Sequence, residues 1–219
     1  MASRTLFADA LLSAIESGKI PLADLTAYDV RQIRSLGDSK LQNRVTELWG
    51  AIRDSSEEKT NRIAELKKLL TPNRLANASH SDGRLLFNKS CAKCHRLFGY
   101  GEKIGPELTG ANRNNIDYLL ENIVDPSAVV SKDFRMTIVQ TTDGQTLNGL
   151  VAAKNDKTLA LQTQNELKTI LLDDIEETKR STMSPMPDGM LDNLSEDQIA
   201  NLISYLMQPS QVQLPEEKP

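Results

Sequence analysis

Apolar residues recur at helical spacing near the start of the chain, at Phe7, Leu11, Ala14 and Ile15, and again at Leu41, Val45, Leu48, Trp49 and Ile52. Ile63, Leu66 and Leu70 mark a third amphipathic helix. Pro21 followed by residues 26–37 marks a shorter one between the first two. Residues 71–82 lose this periodicity and read as a linker. Beyond it, Asp82 is placed to cap a helix carrying Leu85, Leu86 and Phe87. A further helix is expected over residues 115–124, with Tyr118, Leu119, Ile123 and Val124 apolar, stopped by Asp125-Pro126. The pattern then changes to alternation. Strands are expected over residues 135–141, 147–153, 158–162 and 167–172, separated by Asp143-Gly144, Asn155-Asp156 and Asn165-Glu166. The last helix begins at Ser195 with Gln198 three residues on, a capping box, and carries the stripe Ile199, Leu202, Ile203 and Leu206. The whole reads as a mainly α chain with a small antiparallel β insertion at about 133–175.

The chemistry is concentrated in five residues. Residues 91 to 95 read Cys-Ala-Lys-Cys-His, and Cys-x-x-Cys-His is the attachment pattern of a c-type haem. On a helix, Cys91 and Cys94 lie one turn apart on one face, so both sulfurs reach the vinyl groups of a single porphyrin. His95 then offers an imidazole nitrogen to the iron from the proximal side. These are the only two cysteines in the chain, and His95 is one of two histidines. A thioredoxin-like dithiol would need a βαβ setting, and no strand-like run precedes Cys91. A zinc site would need four ligands, with only His80 to add, at the wrong spacing for a finger. A structural disulfide between cysteines this close would close a strained loop. Both cysteines are assigned to one covalent haem.

After the motif comes Gly99-Tyr-Gly-Glu-Lys-Ile-Gly-Pro-Glu-Leu-Thr-Gly110, which is loop chemistry. A proximal histidine needs its second ring nitrogen held by a hydrogen bond, and a backbone carbonyl near Pro106 is the expected acceptor. Cys-x-x-Cys-His followed by Gly105-Pro106-x-Leu108-x-Gly110, a Met-Pro pair and a C-terminal helix resembles class I cytochrome c. The closer likeness is to the haem-binding domain of large secreted proteins of planctomycetes and verrucomicrobia. It is carried by Gly83-Arg84-Leu85-Leu86-Phe87, Ile123-Val124-Asp125-Pro126-Ser127, Asp143-Gly144 and Ser184-Pro185-Met186-Pro187-Asp188-Gly189. The likeness covers roughly residues 76–208. It implies that the first and last helices of the haem domain cross and pack, and that Pro106 and Leu108 belong to the cofactor site. Arg113 and Tyr118 are expected at the haem propionates, where arginine presents a planar donor fork to a carboxylate.

The sixth iron ligand separates electron carriers from haem enzymes. A thioether there closes the iron and raises its potential. Met136, Met183, Met186 and Met190 lie between the haem motif and the last helix. Met136 falls in the alternation of Phe134, Met136 and Ile138 and reads as core. Met186 stands between Pro185 and Pro187, which stiffen its loop, and matches the Met-Pro position of the family it resembles. Met186 is the expected ligand, with Met183 and Met190 as the alternatives. His80 is expected to be solvated, although it is the only histidine that could replace methionine. The interval from His95 to Met186 exceeds what a minimal single-haem domain needs, and the β insertion accounts for the excess as a lid or packing module rather than a second binding site.

These readings divide the chain into an α-helical platform at 1–75, HEAT-like or a plain bundle, and a c-type cytochrome domain at 76–219. At 219 residues with 39% hydrophobic content the chain holds one or two domains. Net charge is −4, which favours neither nucleic acid nor an acidic membrane surface, and no apolar run is long enough to span a bilayer. Covalent haem is attached outside the cytoplasm in bacteria, yet residues 1–20 lack a signal-peptide pattern. The expectation is a piece of a longer, exported, periplasmic or otherwise extracytoplasmic protein. The function expected is electron transfer by one His/Met-ligated haem, fed by a partner or a fused dehydrogenase and with no catalysis of its own. The alternative is a haem enzyme or gas sensor with an open or weakly ligated sixth position.

Overall fold

The computed structural model describes residues 4–50, 52–163 and 165–215. In chain order its helices are α1 Thr5–Glu16, α2 Ala27–Ser35, α3 Ser39–Trp49, α4 Glu57–Leu69, α5 Pro72–Ala76, α6 His80–Ser90, α7 Ile116–Val124 and α8 Glu196–Leu206. Between α7 and α8 run strands β1 Thr137–Thr141, β2 Thr146–Lys154, β3 Thr158–Gln162, β4 Leu167–Leu171 and β5 Ile175–Arg180.

Helix starts follow the side chains that can satisfy free backbone N–H groups. Thr26 with Asp29 and Ser195 with Gln198 form reciprocal capping boxes, while Asp38, Ser56 and Asn115 cap α3, α4 and α7. The same chemistry corrects the linker expected at 71–82. Thr71 accepts from the Arg74 N–H with Pro72 in the first turn, and so starts α5. Ser79 accepts from the Asp82 N–H and caps α6, so Asp82 sits in the first turn and is not the cap. Hydroxyl-rich, aperiodic stretches look like loop when their residues are in fact caps on short helices. His80 becomes the first residue of α6, half-buried, with Nε2 3.2 Å from the Gln208 Nε2.

The insertion is an open five-stranded sheet ordered β4-β3-β2-β1-β5, every neighbour antiparallel. The four expected strands form the meander. β1 and β3 alternate as expected, burying Thr137, Val139 and Thr141 on the first and Leu159 and Leu161 on the second. Sequence reasoning did not include β5, Ile-Glu-Glu-Thr-Lys-Arg. It is an edge strand exposed along nearly its whole length, so it carries no apolar alternation to detect. Gly144 takes φ +82° in the β1–β2 turn, a conformation that suits glycine.

By internal packing the chain forms two units, and their division does not follow the boundary expected at residue 75. One comprises the chain up to Arg53 together with Ser127–Met186. Its helical core gathers Ala8, Leu12, Ile15, Val30, Ile33, Leu41, Val45 and Trp49 with Ala128 and Val129, and its sheet core gathers Val139, Leu159, Leu161 and Ile170. An antiparallel bridge joins Ile52 to Val129. The other unit comprises Asp54–Pro126 and the chain from Pro187 onward. Helix α4 belongs here because its Leu66 and the following Leu70 are buried with Phe87, Leu97, Leu120, Ile203 and Tyr205.

Candidate functional site

The site begins where α6 crosses α8. Phe87 and Tyr205 are fully buried, their rings 5.6 Å apart and tilted by 58°, an edge-toward-face arrangement that adds to simple burial. The helices approach closely because Gly83 has no side chain. A Cβ there would sit 2.6 Å from the Asn201 carbonyl carbon and 2.7 Å from the Tyr205 Cβ. The stripe Ile199, Leu202, Ile203 and Leu206 is buried as expected, and Tyr205 is a further core residue of that helix. The likeness implied this crossing of the first and last helices of the haem domain.

Cys91 follows the end of α6, so the motif occupies the turn after the helix rather than the helix itself. The Cys91 and Ala92 N–H groups both donate to the Phe87 carbonyl at 2.8 and 2.9 Å. The Cys94 and His95 N–H groups both donate to the Cys91 carbonyl, at 3.1 and 2.9 Å. These bonds keep the two sulfurs and the imidazole on consecutive turns of one coil. Burial pushes the Cys91 thiol up to about 12 and also raises Cys94. Neither is an activated thiolate of the kind a dithiol enzyme uses.

The loop after the motif wraps back over it. Glu102 N donates to the Ala92 carbonyl, Gly105 N to Cys94 and Leu108 N to Arg96, at 2.9, 2.7 and 2.9 Å. Leu97 and Tyr100 exchange backbone bonds around Phe98 and Gly99, whose φ angles of 51° and 80° make a type I′ reversal. Phe98 is held in this conformation, rare for a residue with a side chain. Its N–H donates to the Thr109 Oγ1 at 2.8 Å, and the Arg113 guanidinium lies 4.8 Å over its ring.

The loop fixes His95 as expected. Nδ1 lies 2.9 Å from the Pro106 carbonyl, which leaves Nε2 as the ring nitrogen free to bind a metal. Gly105 packs on the imidazole, where a Cβ would stand 2.7 Å from Cε1 and 2.9 Å from Nδ1. Burial lowers the His95 pKa against the opposing pull of the Pro106 bond, which favours the neutral imidazole that a metal requires. Two cysteines on one coil and a ring with one nitrogen tied and the other free are the donor set a covalent haem takes, and these residues fit it.

Leu108 packs against the core beside the motif. Arg113 is buried, and four of its five N–H donors go to chain carbonyls. Nε donates to Leu108 at 2.7 Å, Nη2 to Thr109 at 3.2 Å, and Nη1 to Gln208 at 2.8 Å and also to Leu206. Arg113 therefore staples the loop to the end of α8, with its fork turned to the backbone instead of to a propionate. An Arg113→Met chain is expected to lose about 2–4 kcal/mol of stability, since several buried carbonyls lose a charged donor. Its denaturant midpoint should fall while the visible spectrum of the folded fraction stays native. Tyr118 is half-buried in the first turn of α7, its N–H on the Asn115 side chain at 3.1 Å. Met136 immediately precedes β1 and is tied by backbone bonds to Ser181 and Met183, and Met183 is exposed. Met186 lies in a loop where its N–H donates to the Ser184 Oγ at 3.1 Å, and Met190 is half-buried. Sequence reasoning named Gly83 and Gly105 only as parts of a likeness; their close packing depends on what lies opposite each one in space.

The family model for cytochrome c matches residues 80–210. That is more than half of the chain, and this protein belongs to the cytochrome c family. A search of curated proteins finds no match. Membership brings a covalent c-type haem with its iron, carried on Cys91 and Cys94, and a role in haem-based electron transfer with a redox partner. Cytochrome c domains are commonly extracytoplasmic, and among the described residues no helix is long and apolar enough to cross a membrane.

Proposed function

We propose that this chain is a single-haem electron carrier whose iron is held between His95 and Met186. It works outside the cytoplasm, in the periplasm where the cell has one, and exchanges electrons with a dehydrogenase, fused or separate. When bound, the haem supplies a reversible one-electron couple at its iron. The chain's own residues tune it. Pro106 ties Nδ1 of His95 and so fixes tautomer and ring plane, Gly105 leaves the imidazole its room, and the Phe87, Tyr205 and Leu97 core excludes water. The Pro106–His95 bond is the observation that carries the reading.

Met186 is supported by its prolines on both sides and by the Ser184 bond to its N–H, which restrict the loop before any ligand arrives. The likeness to the haem-binding domain of large secreted proteins supports a dehydrogenase as electron donor.

The test compares methionine variants in haem-loaded protein. Met186→Ala is expected to abolish the weak long-wavelength ferric band of an iron–methionine bond and to lower the reduction potential, with Met183→Ala unchanged on both measures. Persistence of the band in Met186→Ala would move the ligand to Met183 or Met190.

A further inference from the structure

Two bonds flank the loop that carries Met186, and both lead to one short segment. Two residues before Met186, the Ser184 N–H donates to the Ser127 Oγ at 3.1 Å. Two residues after it, the Asp188 carboxylate meets the Lys59 Nζ at 2.8 Å, and the same ammonium reaches the Asp125 Oδ1 at 3.0 Å. Asp125 and Ser127 are separated only by Pro126, at the end of α7. The Asp125 side chain has no exposure and that of Lys59 is 22% exposed, so the Lys59–Asp125 pair is not an open surface pair of small value, while the Asp188 side chain at the loop is 57% exposed. Lys59 projects from the first turn of α4, whose start is fixed by the Ser56 cap.

We infer that Ser127 directly, and Asp125 through Lys59, are positioning residues that hold the Met186 loop at both ends. The inference rests on Met186 being the axial ligand. A short loop between two prolines is stiff inside, but its placement depends on its anchors. With both ends fixed, a thioether displaced from the iron stays close and returns. With one end loose, the open form gains population and an outside ligand competes better. Lys59 lies well outside the haem motif in sequence, and neither composition nor spacing marks it.

The test uses haem-loaded full chain and imidazole as the competing ligand. Lys59→Met is expected to raise the affinity of ferric iron for imidazole about tenfold, the effect of losing one hydrogen bond to a charged group, and Ser127→Ala about fivefold, the effect of losing a neutral one. Lys59→Arg, which keeps the cation, should restore most of the native value, and the long-wavelength band should weaken in Lys59→Met. If both variants bind imidazole as the native protein does and only unfold more easily, the residues are structural and the inference is overturned. Met186→Ala separates the two readings. Loss of the band there with native behaviour in Lys59→Met and Ser127→Ala removes the anchoring inference alone. An unchanged band in Met186→Ala removes the ligand assignment first.

Discussion

A Gly105→Ala chain is expected to lose native axial coordination, although the change adds one methyl group. The backbone at Gly105 lies outside the left-handed region, so alanine meets no conformational strain. The cost is steric. The new Cβ would stand 2.7 Å from Cε1 of His95, 2.9 Å from Nδ1 and 3.2 Å from Nε2. Real carbon contacts do not reach the first distance, so the ring must tilt or the loop must lift. The ring is pinned by the 2.9 Å bond to Pro106, the very next residue, and the loop is pinned by the 2.7 Å bond from Gly105 to Cys94. Either movement breaks a bond that sets the imidazole plane. Overpacking of this kind costs about 1–3 kcal/mol, and here it falls on His95, the proposed iron ligand. The ferric spectrum should acquire a high-spin component and the denaturant midpoint should fall. Gly110→Ala, where a Cβ meets nothing within 4 Å, is the matched control and should behave as native. A native spectrum in Gly105→Ala would show that the loop yields freely.

Gly83→Ala is expected to destabilise the whole haem-binding unit. In an isolated helix the change would help by about 1 kcal/mol. In this helix the added carbon meets the Asn201 carbonyl group and the Tyr205 Cβ at 2.7 Å. The obstacle is backbone on a packed helix, which cannot rotate aside. The helices must separate, and Phe87, Tyr205 and Ile203, all fully buried, lose contact together. The net loss should be about 3 kcal/mol, the upper end for overpacking a core. Because α6 ends directly before Cys91, haem attachment should fall with it. Calorimetry and the ratio of haem to protein after expression both read this. Native values for both would mean that the α6–α8 crossing does not support the site.

The sequence made the chemistry plain and the packing partly so. Cys91 and Cys94 were legible because covalent attachment demands neighbouring cysteines, and the bond from His95 to the Pro106 carbonyl because an imidazole needs a partner close by in the chain. Helices α1, α3, α4 and α7 announced themselves through apolar stripes, α2 through Pro21 and the stretch 26–37, α6 through Leu85, Leu86 and Phe87, and α8 through its capping box and stripe. Strand β5 did not, since an exposed edge carries no alternation. Thr71 and Ser79 were read as loop because a hydroxyl is equally at home in a turn and at a helix start. The assignment of α4 to the haem-binding unit could not be read either. Leu66 and Leu70 say that a helix buries one face, and only the fold says against what. Arg113 exposes the same gap, since a guanidinium suited to a propionate is equally suited to four carbonyls.

The most direct test of a closed electron-transfer iron is the spectrum of the haem-loaded native chain, ferric and ferrous, with and without carbon monoxide. A low-spin ferric spectrum with the iron–methionine band, and a ferrous form that resists carbon monoxide, is the result this account predicts. A high-spin ferric spectrum with rapid carbon monoxide binding would contradict it and give the lead to a haem enzyme or gas sensor.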